Sequence, residues 1–319
     1  MSPKPASLLG GESGVLERSE VRTEEIPRTV MERTHLPPDH FVLVGMVKTR
    51  YVMAGQGSPV ILLHGLSGSL RFWYPNIEPL AQRHQVYALD MVGFGFTDKP
   101  QVEYSLPYAV TFIRDFMDAL GITAASLVGT SAGGLLAATV ALQHPEQVSG
   151  LVLVDSGGLG PNLGLSLRLL SLPLIGEFLC QPSRWKARTM LRGLFYNPDL
   201  LEEELVEELF QVQCLPGAKQ ALLAAIRSGI GWWGQRPEIN LLDRLSQLKV
   251  PALIIWGADD ALLPLSHGIE AHRRIPNSRL HVVAECGHCP HLERPNEFNS
   301  TVLEFLEGVD LESISRDRS

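Results

Sequence analysis

The chain has 319 residues, 45% of them hydrophobic and 19% charged, with a formal net charge of -8. That composition supplies a large core and excludes wholesale disorder, which needs low hydrophobicity and high net charge. Asp and Glu number 35 against 27 Lys and Arg, and no basic run follows a phosphate backbone, so nucleic acid is not expected as a partner.

In chain order, residues 1–38 read as a loosely ordered N-terminal arm. Glycines at 10, 11 and 14 open it, Pro37-Pro38 close it, and a mixed-charge stretch from Glu17 to Arg33 lies between. Its first twenty residues lack the apolar centre of a secretory signal, and no apolar run reaches the ~20 residues of a membrane span. Four cysteines do not make a disulfide scaffold. A cytoplasmic protein is expected.

From residue 39 the texture changes. FVLVGMVKTRYVMAG alternates and is rich in valine, which predicts an antiparallel strand pair. Short runs apolar on both faces follow: Pro59–Leu63, Val86–Asp90, Ala125–Gly129, Leu151–Asp155, Ala252–Trp256 and Leu280–Ala284. Such runs suit buried parallel strands. Helical spacing of apolar residues marks Pro107–Leu120 and Asn296–Leu306, while Ala132–Gln143 is apolar nearly all round. The alternation predicts an α/β fold with a mostly parallel central sheet flanked by helices.

Residues 39–156 and 243–310 carry that alternation, and 157–242 interrupt it. A structureless loop of such length is improbable in a compact domain. Within it, Leu201, Leu205, Leu209 and Val212 face one way along a helix rich in glutamate. The segment is predicted to be a helical cap inserted after the sixth strand. Residues 311–319 are expected to form a C-terminal tail.

The sharpest chemical signal is Gly129-Thr130-Ser131-Ala132-Gly133, a G-x-S-x-G between a predicted strand and a predicted helix. Such a tight turn needs small residues beside the serine and presents its hydroxyl at the sheet edge. A serine hydroxyl attacks only when a base removes its proton. His288 and Asp260 follow later strands in the order that this arrangement requires. His291 is the alternative base, and Asp259 and Asp155 are the alternative acids. The charge that develops on a carbonyl oxygen under attack needs two backbone N–H donors. Ala132 supplies one, and Leu66, in the His64-Gly65-Leu66-Ser67-Gly68 loop, is expected to supply the other. His64 is read as holding that loop.

HGLSGS at 64–69, DMVGFGFTDKP at 90–100, GTSAGG at 129–134, WGADDALLP at 256–264 and ECGHCPHLERP at 285–295 together resemble the α/β-hydrolase-fold serine hydrolases. The resemblance covers about residues 41–156 and 243–307. It implies Ser131 as nucleophile, His288 as base and Asp260 as its orienting acid, with no metal or organic cofactor. A serine at 131 disfavours dehalogenases and epoxide hydrolases of this fold, which use aspartate. Carbon–carbon hydrolases acting on ring-cleavage products usually have Asn before the serine and Trp after the histidine, where this chain has Thr130 and Cys289. Cys286 and Cys289 form a C-x-x-C, but no second ligand pair accompanies it, so packing is their expected role.

The expected function is hydrolysis of a small-molecule carboxylic ester with an apolar acyl part, through an acyl-enzyme. Phe72-Trp73 and Trp232-Trp233 are candidates to wall the acyl pocket, and no paired arginines suit a substrate carboxylate. The alternatives are a carbon–carbon bond hydrolase of the ring-cleavage-product type and a ligand receptor on a hydrolase fold. An acyltransferase or perhydrolase also stays open.

Overall fold

The computed structural model describes the backbone of residues 37–317 and the side chains of 37–312. The N-terminal arm, Pro37-Pro38 excepted, lies outside the described residues. The chain opens with the hairpin β1 (Asp39–Val44) and β2 (Val47–Ala54), turned at Gly45 with φ 58°. Then come β3 (Pro59–Leu63), α1 (Tyr74–Ala81), β4 (Gln85–Leu89), α2 (Leu106–Ala119), β5 (Ala125–Thr130), α3 (Ala132–Gln143) and β6 (Val148–Val154). The helices α4 (Leu165–Ser171), α5 (Ile175–Leu179), α6 (Arg184–Arg192), α7 (Glu203–Cys214) and α8 (Ala218–Gly229) follow. Two-residue strands β7 (Ile230–Gly231) and β8 (Gly234–Gln235) lead back to β9 (Ala252–Gly257), α9 (Ser266–Arg274), β10 (Ser278–Val283), α10 (Pro290–Glu293) and α11 (Pro295–Asp317).

Among the described residues, eight strands form one sheet in the order β1-β2-β4-β3-β5-β6-β9-β10. The pairs β1–β2 and β2–β4 are antiparallel and the others parallel. The two-residue period of the strands divides the core. Ile61, Leu63, Leu127, Leu153, Ile254 and Trp256 point to the face covered by α2, α3 and α9. Val60, Leu62, Val128, Val152, Leu253 and Ile255 point to the other, where they meet Ile77 of α1 and Phe298, Val302 and Phe305 of α11. This two-sided burial is why the runs of the central strands lack polar alternation; β10, at the sheet edge, is not buried on both faces as expected, and its Val282 is 41% exposed.

One expectation needs correction. The last helix does not stop near 306 and leave a tail from 311; α11 runs to Asp317. Val309 is buried against the sheet, so the packing stripe extends past Gly308 and carries the helix on.

Candidate active site

Parallel strands end at one edge of the sheet, and the loops leaving that edge form the site. Ser131 sits between β5 and α3 with φ 54° and ψ -118°, a backbone conformation costly for any residue other than glycine. The strain is held by packing: the Ser131 N–H donates to Val154 O at 2.9 Å, and the Ser131 carbonyl accepts from Gly157 N–H at 2.9 Å. A Cβ at Gly133 would collide with the Leu63 carbonyl, and one at Gly129 with the Gly133 carbonyl. Gly133→Val should therefore cost about 3 kcal/mol or more in a chemical-denaturation experiment. Unchanged stability would show that α3 does not press on β3 as the structure has it.

His288 follows β10 and Asp260 follows β9. Asp260 Oδ2 accepts from His288 Nδ1 at 2.7 Å, and both side chains are buried. Asp260 Oδ1 accepts from the N–H groups of Leu262 and Leu263 at 2.7 and 3.1 Å. Burial opposes ionisation of Asp260, but His288 and these two N–H donors outweigh it and hold the carboxyl below its ordinary range. Among the described residues the side-chain partner of the imidazole is Asp260, not Ser131 Oγ. In unliganded sites the bond from nucleophile to base is often long and tightens with substrate.

The loop after β3 closes in beside the serine. A Cβ on Gly65 would lie 3.0 Å from Ser131 Cβ. Leu66 and Ala132 both line the cavity that reaches Ser131. Ala132 is the first residue of α3, so its N–H has no acceptor within the helix. His64 holds the loop as expected. Its Nε2 accepts from Met91 N–H at 3.0 Å, so Nδ1 carries the proton and donates to Gly65 O at 2.7 Å. Burial lowers its pKa and keeps it neutral, against the pull of Asp90. The DMVGFGFTDKP motif braces the same loop: Asp90 accepts from Leu70 N–H at 2.6 Å and Phe96 N–H at 2.7 Å.

The alternative residues resolve differently. His291 is fully buried and packed on Trp73 with ring centroids 4.5 Å apart, burial drives its pKa down to about 3, and the Asp260 carboxylate bonds His288 instead. Asp259 is exposed. Asp155 reaches Asp260. One donor atom each from Asp155, Asp260 and His288 lie within 4.8 Å of one another. Among the described residues this is the group close enough to hold a metal ion, and it excludes Cys286 and Cys289. Those are buried free thiols, and burial pushes both pKa values up.

The aromatic pairs do not wall the cavity as expected. Trp73 is locked between His291 and Phe298, Phe72 joins a cluster with α6 and α7, and Trp233 is 89% exposed. The cavity is lined instead by Phe94, Tyr104 and Tyr108 from the segment before and into α2. Leu163, Leu167, Ile230 and Ile239, from the segment between β6 and β9, complete its walls. Tyr104 and Tyr108, four residues apart at a helix start, are the available sequence signal. Thr130 and Cys289 are buried and line no part of the cavity. Among the described residues no helix is long and apolar enough to cross a membrane.

A family model described as alpha/beta hydrolase fold matches residues 58–295. A 2-hydroxy-6-oxo-6-phenylhexa-2,4-dienoate hydrolase of Comamonas testosteroni is 32% identical over 263 residues, covering 80% of this chain and 90% of the relative. The solved structure of a meta-cleavage product hydrolase from Pseudomonas fluorescens IP01 matches with TM-score 0.73 and 31% identity, over 84% of this chain and 97% of that one. A membrane phospholipase A structure matches with TM-score 0.71 and 27% identity, over 86% of each chain. The first two names fit the carbon–carbon alternative better than the ester reading.

Proposed function

This chain belongs to the α/β hydrolase fold family as a serine hydrolase, and from that premise we propose that it cleaves a neutral carboxylic ester with an apolar acyl part. Ser131 Oγ attacks the acyl carbon as His288 Nε2 takes its proton. Asp260 holds the Nδ1–H and stabilises the imidazolium. The Leu66 and Ala132 N–H groups receive the oxyanion. Collapse transfers the proton to the leaving alcohol, and a water activated by His288 then releases the acid.

The observation that carries the ester reading is the cavity wall. Among the described residues that line it, the polar ones are Tyr104, Ser105, Tyr108, Ser228, Gln235, Ser131 and the neutral His64, with no Lys, Arg, Asp or Glu. An ester can be buried there at little cost, whereas a carboxylate without a cation loses several kcal/mol of solvation.

The second reading is carbon–carbon bond hydrolysis of a ring-cleavage product. The two relatives named for such substrates favour it, and more directly than any comparison favours simple esters. The same serine would attack a ketone, but the dienoate's carboxylate would meet no cation among the described residues of the wall.

The test is a parallel panel: p-nitrophenyl butyrate and octanoate beside 2-hydroxy-6-oxo-6-phenylhexa-2,4-dienoate. The ester reading expects kcat/KM at least about 100-fold higher on an ester, a difference of roughly 2.7 kcal/mol between the two barriers. The reverse preference would install the carbon–carbon reading.

A further inference from the structure

Asp155 follows β6 directly beside Ser131, whose N–H donates to the carbonyl of the preceding residue, Val154. Its backbone has φ 40°, a left-handed conformation that only surrounding structure can hold in a non-glycine residue. The residue is fully buried. Oδ1 accepts from Gly257 N–H at 3.0 Å, while Oδ2 is buried with no donor among the described residues. Around it stand the Asp260 and Glu293 carboxyls, the His288 ring and the Cys286 and Cys289 thiols.

Two buried carboxyl groups this close cannot both be ionised, so one holds a proton. Asp260 accepts three hydrogen bonds and Asp155 one, which places the negative charge on Asp260. Burial and the nearby Asp260 accordingly push the Asp155 carboxyl well above the usual carboxylate range. An acid proton on Oδ2 also gives that orphaned oxygen its partner.

We infer that Asp155 is a positioning residue that stays protonated and donates its Oδ2–H to the Asp260 carboxylate, fixing that carboxylate in line with His288. The inference deepens the proposed mechanism and rests on it. It predicts that an amide can replace the acid. In Asp155→Asn the amide oxygen still accepts from Gly257 and the amide N–H still donates to Asp260, so kcat stays within about fivefold of wild type. Asp155→Ala removes the donor and leaves KM alone, but lowers kcat by roughly 10–100-fold, the range for a hydrogen bond to a charged group. Where pH rises far enough to remove the Asp155 proton, a second negative charge faces Asp260 and wild-type kcat falls, while that of Asp155→Asn, which has no such proton to lose, does not.

The experiment measures kcat, KM and the pH profile of wild type, Asp155→Asn and Asp155→Ala, with fluorophosphonate labelling of Ser131 in each. Retained activity in Asp155→Asn, with a wild-type-to-variant ratio that holds level or declines as pH rises, supports the inference. An inactive Asp155→Asn beside a labelled wild type overturns it and leaves the mechanism standing, because Asp155 would then act ionised. A wild-type-to-variant ratio that rises with pH, or an Asp155→Ala with unchanged kcat, also overturns it. Should Asp155→Ala fail to fold, the isosteric Asp155→Asn decides alone. A wild type that resists labelling removes the mechanism and this inference together.

Discussion

Ser131→Ala should lower kcat by about 10⁶-fold with little change in KM, the scale seen when a serine nucleophile acting with its base is removed. Three observations support so large an effect. The left-handed backbone at 131 is maintained by bonds to Val154 and Gly157 that the side chain does not make, so the variant keeps its fold. Ser131 lines the cavity. The imidazole is already oriented by Asp260 through its Nδ1 at 2.7 Å, which leaves Nε2 to act as base. Asp260→Asn should lose less, roughly 10⁴-fold, because the amide stabilises the wrong tautomer while the nucleophile remains. Burst and steady-state kinetics on an activated ester measure both. A Ser131→Ala variant within tenfold of wild type would move the chemistry elsewhere.

The second large effect falls on stability. Arg50 is 1% exposed, yet its guanidinium lies 2.9 Å from Asp39, 3.3 Å from Asp90 and 3.5 Å from Glu208. Burial alone would lower the Arg50 pKa, but these carboxylates more than reverse it and keep the cation charged. Glu208 comes from α7 and also accepts from Ser69 Oγ at 2.7 Å, while Asp90 holds Leu70 N–H. One cation thus joins the hairpin, the loop beside Leu66 and the helices after β6. Arg50→Met would leave buried carboxylates without it and should cost about 3–5 kcal/mol. Adding Glu208→Gln should recover part of the loss, since one uncompensated charge goes with it. Urea unfolding of the single and double variants reads both. A loss below about 1 kcal/mol for Arg50→Met would show that the cluster contributes no more than an exposed ion pair.

Much of the fold is legible because its signals are local. Ala132–Gln143 is apolar all round because α3 is covered on several sides, and its predicted limits match the helix. The alternation FVLVGMVKTRYVMAG forms β1 and β2 because one face of a hairpin packs on α2 while the other meets solvent. Ser131 and Asp260 stand out by the turns that follow the buried strands β5 and β9, and His288 by the turn after β10, a partly exposed edge strand. Helix ends are less legible: α11 continues because Val309 finds the sheet, which spacing in the window to 306 does not reveal.

Contacts between distant segments are closed to sequence reasoning. His291 and Trp73 look like a base and a pocket wall until each is seen to bury the other. Glu208 reads as one more solvated glutamate on an acidic helix, yet it is 6% exposed and bonded to a residue 139 positions away. Asp155 is one of several acids near a strand end; only the pairing of β6 with β9 brings it against Asp260.

What the chain alone determined is therefore its strand and helix pattern and the small-residue turn that exposes Ser131, since both follow from periodicity and sterics within a few residues. The tertiary structure decided which carboxyl faces the imidazole, which aromatics line the cavity and that the described wall is uncharged. Those depend on burial and on distances between segments far apart in the chain, and neither has a local signature.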